Sequence, residues 1–62
     1  MPFIQVNLTS GRSTAQKREF TEVVTREAAR ILNCPLTAVW IVFNDVASDD
    51  WGTGGKLVSD QG

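Results

Sequence analysis

The sequence predicts a small α+β subunit, laid out strand–helix–strand with a C-terminal hairpin, that needs further copies to be stable. Three observations carry this. The chain opens on an apolar run of period two and continues into an apolar stripe of period three to four. A continuously apolar, β-branched stretch follows. At 62 residues the chain is one small domain, spanning 1–62, whose own core supplies only a few kcal/mol.

Ile4, Val6 and Leu8 alternate with Phe3, Gln5 and Asn7, which marks a first strand. Pro2 begins it, where a missing N–H is tolerated. Thr9 to Arg12 is turn material. Ser13-Thr14-Ala15-Gln16 has capping-box spacing, so a helix is expected from about Thr14. Its apolar stripe is Phe20, Val23, Val24, Ala28 and Ile31, with Lys17, Arg18, Glu22, Arg26 and Arg30 mostly off it. Glu22 and Arg26 are spaced for a weak helical ion pair. Asn33 suits the position after the last turn, and Pro35 blocks continuation.

Leu36-Thr37-Ala38 suits a short 3₁₀ connection. Val39 to Phe43 reads as a second strand covered on both faces, parallel to the first. The chain turns polar from Asn44 to Asp50. Trp51 to Val58, with Gly52, Gly54 and Gly55, reads as a hairpin, and the last four residues are expected to fray. A lone two-stranded unit leaves sheet edges exposed, and pairing with a second copy is the simplest cure.

Composition excludes several function classes. Cys34 is the only cysteine and there is no histidine, so neither a disulfide framework nor a zinc site is expected. The net charge of −1 gives no electrostatic footprint for nucleic acid and no polybasic membrane patch. No apolar run approaches the length of a membrane span, and no signal peptide fits. The cytoplasm is the expected location. No cofactor is expected, because Gly52-Thr53-Gly54-Gly55 fits neither a P-loop nor a dinucleotide fingerprint.

Without histidine, the chain lacks an imidazole base. Pro2 is the sharper candidate. If Met1 is removed, its ring nitrogen becomes a secondary amine; if Met1 stays, that nitrogen is a non-basic amide. An amine buried among apolar groups loses basicity, which suits a general base near neutrality. Arg12, after the Gly11 turn and beside the helix start, is placed to clamp a carboxylate. Thr9, on the same turn, is a further substrate-binding candidate. Trp40 fits core or interface packing, whereas Trp51, in a polar glycine-rich stretch, fits an interface or a pocket wall. Asp45, Asp49 and Asp50 read as solvated loop charges, and Cys34 as a small buried filler.

Met1-Pro2 opening a strand, Gly11-Arg12-Ser13-x-x-Gln16-Lys17, Pro35-Leu36-Thr37-x-Val39, and Trp51 before Gly-x-Gly-Gly together resemble the 4-oxalocrotonate tautomerase family. The resemblance covers essentially the whole chain. It implies a β-α-β subunit paired into a four-stranded sheet in a dimer, and three dimers assembled as a homohexamer. It implies removal of Met1 and a catalytic Pro2 that shifts a proton along a 2-hydroxy dienoate to give a conjugated 2-oxo acid. That is the chemistry of aromatic-compound catabolism. Arg12 matches the arginine that holds the substrate's distal carboxylate, and Trp51 the aromatic that walls the pocket.

The chain also departs from the family pattern. Trp40 stands where the family carries a second arginine, and Ala38 where a small hydroxyl residue is typical. With Arg12 the one family cation left, the pocket is expected to take one carboxylate and a more apolar remainder, as in an aryl enolpyruvate. Trp40 then counts among the substrate-binding candidates. Two alternatives stand beside this reading. One is a hydratase or dehalogenase of unsaturated acids, with Asp45, Asp49 or Asp50 activating water. The other is a non-catalytic subunit of a hetero-oligomer.

Overall fold

A computed structural model describes residues 1–61; Gly62, the last of the residues expected to fray, lies outside the described residues. Strand β1 (Phe3–Thr9) leads into helix α1 (Thr14–Leu32), a 3₁₀ turn (Leu36–Ala38) and strand β2 (Trp40–Val46). A second 3₁₀ turn (Ser48–Asp50) precedes a small hairpin of β3 (Gly52–Thr53) and β4 (Lys56–Leu57), and a third (Val58–Asp60) follows it. β1 and β2 pair in parallel, from Phe3 opposite Trp40 to Thr9 opposite Val46. The strand–helix–strand reading holds, and so does the hairpin.

The capping box forms at the expected place. Gln16 N–H donates to Ser13 Oγ at 3.1 Å, and Ser13 N–H donates to Gln16 Oε1 at 2.9 Å. These bonds fix the helix start directly after Arg12. Ser13→Ala removes the side-chain cap and is expected to cost about 1 kcal/mol. Chemical denaturation at fixed protein concentration measures it; an unchanged midpoint would show that the cap does not hold this helix end. At the other end Asn33 adopts the left-handed conformation (φ 54°) and its N–H donates to the Ala29 carbonyl. In the hairpin, Gly54 and Gly55 both take positive φ (61° and 85°), as a two-residue turn of this hand requires.

Four expectations need correction. β2 does not stop at Phe43: Asn44, Asp45 and Val46 continue it, because Asn7, Leu8 and Thr9 offer ladder partners in register. Nor is β2 covered on both faces. Ile4, Val6, Ile41 and Phe43 are half-buried on the helix side, while Phe3, Trp40 and Val42 on the opposite side are exposed. Glu22 and Arg26 do not form an ion pair among the described residues; the helical pair is Glu27–Arg30 at 2.8 Å. The Arg30 hydrogen bond holds the Glu27 carboxyl below its ordinary range; slight desolvation opposes this and the Arg26 charge assists it. Ser59 and Asp60 are held in the last 3₁₀ turn, where Gln61 N–H donates to the Val58 carbonyl at 3.1 Å.

The core within one chain is thin. Ala29 is the buried hydrophobic residue, at 9% exposure, and Cys34 is only half-buried. The accessible surface is 4708 Å², against about 4,000 Å² for a compact protein of this mass. The radius of gyration is 14.7 Å, where a compact chain of this length has about 10–11 Å. The longest extent, 42 Å, exceeds the roughly 29 Å of the 19-residue helix α1. No helix among the described residues is long and apolar enough to cross a membrane.

Candidate active site

Pro2 lies at the N-terminal end of β1, half-buried, and its carbonyl accepts a hydrogen bond from Trp40 N–H at 3.0 Å. That bond joins the starts of the two strands. Met1, at 87% exposure, is open to solvent. Helix α1 runs back against the strands, so its last turn and the 3₁₀ turn return to this same end. Met1, Phe3, Ile31, Leu32, Leu36 and Trp40 are all large apolar residues exposed there.

Arg12 lies at the other end. Gly11, at φ 125°, turns the chain out of β1, a conformation that strains residues with a Cβ. The turn leaves Arg12 exposed at the mouth of a cleft of about 370 Å³ between α1 and the sheet. Arg12 and Lys17 stand on its rim, and Val6, Leu8, Phe20 and Phe43 form an apolar floor. The Phe20 and Phe43 rings meet edge to face, 5.8 Å between centroids. Lys17 Nζ reaches Asp45 Oδ2 at 2.6 Å and stands 6.0 Å from the Phe43 centroid. Arg12 has no such carboxylate partner among the described residues.

The expectation that Asp45 lies in a loop is therefore corrected, while its carboxylate is exposed as expected. It is a strand residue held by an ammonium group. A carboxylate so engaged is poorly placed to activate water, whereas Asp49 and Asp50 remain on an exposed turn. Thr9 is half-buried at the C-terminal end of β1, near the Arg12 turn. Trp51 is half-buried beyond the same end, where its carbonyl accepts from Val58 N–H at 2.8 Å. Trp40 corrects the core reading: it is 55% exposed.

The candidate residues thus fall into two groups. Pro2 and Trp40 stand where the strands begin; Thr9, Arg12 and Trp51 stand where the strands end or beyond. Seven residue steps separate Pro2 from Thr9, about 23 Å along an extended strand. A small substrate does not span that distance within one chain. Phe3, in register beside Trp40, escaped the sequence reading because alternation assigned it to the solvent face and gave no reason to look further. The Lys17–Asp45 bridge escaped it too, since a contact 28 residues apart in sequence leaves no local periodic signal.

The model of the family described as "Tautomerase enzyme" matches residues 2–61. The chain belongs to the tautomerase family. Among similar tautomerases is a 2-hydroxymuconate tautomerase of Pseudomonas putida, 36% identical over 59 residues, covering 95% of this chain and 94% of that protein. A second, from Comamonas testosteroni, is 34% identical over 62 residues, covering 100% of this chain and 98% of that one. Among solved structures, a 4-oxalocrotonate tautomerase homologue superposes with a TM-score of 0.93 at 35% identity, over 100% of this chain and 98% of that one. A heterohexamer 4-oxalocrotonate tautomerase from Chloroflexus aurantiacus superposes with a TM-score of 0.92 at 28% identity, over 98% of each chain. The α+β tautomerase fold and membership of an isomerase family are thereby established for this chain.

Proposed function

We propose that this tautomerase interconverts 2-hydroxy-dienoate or related enol acids with their conjugated 2-oxo acids, using Pro2 as general base and acid. Removal of Met1 frees the ring nitrogen. The neutral amine takes the proton of the substrate's 2-hydroxyl group. The double bonds shift as the carbonyl forms, and the protonated proline returns the proton to a carbon of the chain. No atom is gained or lost. Arg12 holds a carboxylate, Trp51 walls the site, and Thr9 lies close enough to Arg12 to contact the same end of the substrate. The observation that carries this reading is the presence of both Pro2 and Arg12 in a chain matched to the family over residues 2–61.

The separation of Pro2 from Arg12 makes the site an assembled one. One subunit's apolar Pro2 end receives Arg12 and Trp51 from neighbouring subunits, which covers the exposed apolar groups and dries the amine. A dimer with a four-stranded sheet, and three dimers as a hexamer, meet the surface deficit of the single chain. Trp40, in place of the family's second arginine, alters the substrate range.

A second reading, of a subunit that works only beside a different partner chain, is favoured by the similarity to the heterohexamer tautomerase. One preparation decides between them. The chain expressed alone is expected to have the mass of the Met1-free polypeptide, to assemble as a hexamer by native mass measurement, and to ketonise a simple enol acid. A Met1-free hexamer without turnover sinks the enzymatic reading. A chain that stays monomeric and inert until a second chain is added establishes the hetero-oligomer.

A further inference from the structure

Asp45 is the one acidic residue on β1 or β2. It stands in register with Leu8 and two positions beyond Phe43, so its side chain leaves the sheet on the face that meets α1. Arg12 is carried to the same end. Ser10 N–H donates to the Val46 carbonyl at 2.9 Å, which ties the turn after β1 to the residue beside Asp45. Arg12 follows on that turn and shares the rim of the cleft with Lys17. The fold therefore brings an acid, the proposed carboxylate clamp and a second cation to one place.

A guanidinium and a carboxylate at one strand end would pair, because the planar fork of arginine binds a carboxylate through two parallel hydrogen bonds. An Arg12 so engaged would meet a substrate carboxylate with its donors already filled. Lys17 stands between the two outcomes. Its ammonium holds Asp45 Oδ2 at 2.6 Å and lies 6.0 Å from the Phe43 centroid, with its stem along an apolar floor. Lys17 is also close to a helix start whose first turn holds no acid, where the helix dipole disfavours a cation. The Asp45 charge offsets that repulsion. Arg12 is left without an ion-pair partner among the described residues.

We infer that Lys17 is a positioning residue for the Arg12 clamp: by occupying Asp45 it keeps the Arg12 guanidinium open to a substrate carboxylate. This rests on the tautomerase reading above and adds a residue pair to its binding machinery. Lys17 touches neither the substrate nor the reacting atoms. It acts through Asp45 and Arg12.

The test measures KM and kcat for 2-hydroxymuconate with the Met1-free chain in its assembled form. Lys17→Met keeps the apolar stem and removes the charge. It is expected to raise KM by roughly tenfold, the lower end of what loss of a charged hydrogen-bond partner removes, with a smaller fall in kcat. Adding Asp45→Asn to Lys17→Met removes the competing carboxylate and is expected to restore most of the wild-type KM. In an Arg12→Ala background, Lys17→Met is expected to raise KM no further, since the two residues act as one unit. If Lys17→Met does not assemble, Lys17→Gln carries the comparison, and its KM is again expected to fall on adding Asp45→Asn. A double variant as impaired as the Lys17 variant alone overturns the inference: Lys17 then binds the substrate itself or only braces the fold. A further rise of KM in the Arg12→Ala background overturns it too. A KM that rises on Arg12→Ala but not on Lys17→Met overturns the inference and leaves the clamp standing. A KM indifferent to Arg12→Ala removes the clamp, and turnover indifferent to Pro2→Ala removes the tautomerase reading; the inference falls with either.

Discussion

Replacing Pro2 with alanine is expected to lower kcat for ketonisation of an enol acid by roughly 10²–10⁴-fold, the usual contribution of a positioned general base. The magnitude follows from what the residue supplies. A secondary amine held in a ring is pre-oriented, and its nitrogen belongs to the backbone at the start of β1 rather than to a mobile side chain. Alanine still ends in an amine, so a proton acceptor is kept while the fixed geometry is lost. The variant should assemble normally, because the Pro2 nitrogen takes no part in the ladder and the bond from Trp40 N–H to its carbonyl survives the change. Retention of Met1 is the sharper form of the same experiment. It converts the nitrogen to an amide and is expected to silence the enzyme, with activity returning when Met1 is trimmed. Equal turnover before and after trimming would exclude Pro2 as the base.

Arg12→Ala carries the second large effect. A hydrogen-bonded charged partner typically contributes ~1.5–3 kcal/mol, so KM is expected to rise by about one to two orders of magnitude. The fall in kcat should be smaller, since Arg12 binds the substrate rather than transferring its proton. Little stability should be lost: Arg12 is exposed and has no ion-pair partner among the described residues. The same variant tests whether the site is shared. Pro2→Ala and Arg12→Ala subunits, each defective alone, are unfolded together and allowed to reassemble. Mixed oligomers then contain sites with an intact Pro2 from one chain and an intact Arg12 from another. Recovery of part of the wild-type rate is expected. No recovery from verified mixed oligomers would place both residues of a working site in one chain.

Several features are legible in the amino-acid sequence because their causes are local. The capping box needs only Ser13 and Gln16 at the right spacing, and it forms. Asn33 and Pro35 end the helix through their own backbone preferences. Ile4, Val6 and Leu8 declare a strand by alternation, and Gly54-Gly55 declares a turn by allowing positive φ. The length of β2 is less legible. Asn44 and Asp45 are weak strand formers, and only the ladder partners Asn7 and Leu8 keep them extended. The Lys17–Asp45 bridge and the exposure of Trp40 depend on which elements meet, which local periodicity does not encode.

The strand–helix–strand order, the helix ends, the hairpin, the thinness of a single-chain core and the family pattern around Pro2 and Arg12 are all written in the amino-acid sequence. These rest on interactions a few residues long, or on the simple fact that 62 residues bury too little surface. Tertiary structure alone decided where the candidates stand. A parallel pair puts both strand starts at one end, so Pro2, Phe3 and Trp40 gather there, while Thr9 and Arg12 are carried to the other. An extended strand is stiff, and its length is set by covalent geometry. That stiffness holds Pro2 and Arg12 apart within one chain, so the proposed site needs a second chain to bring them together.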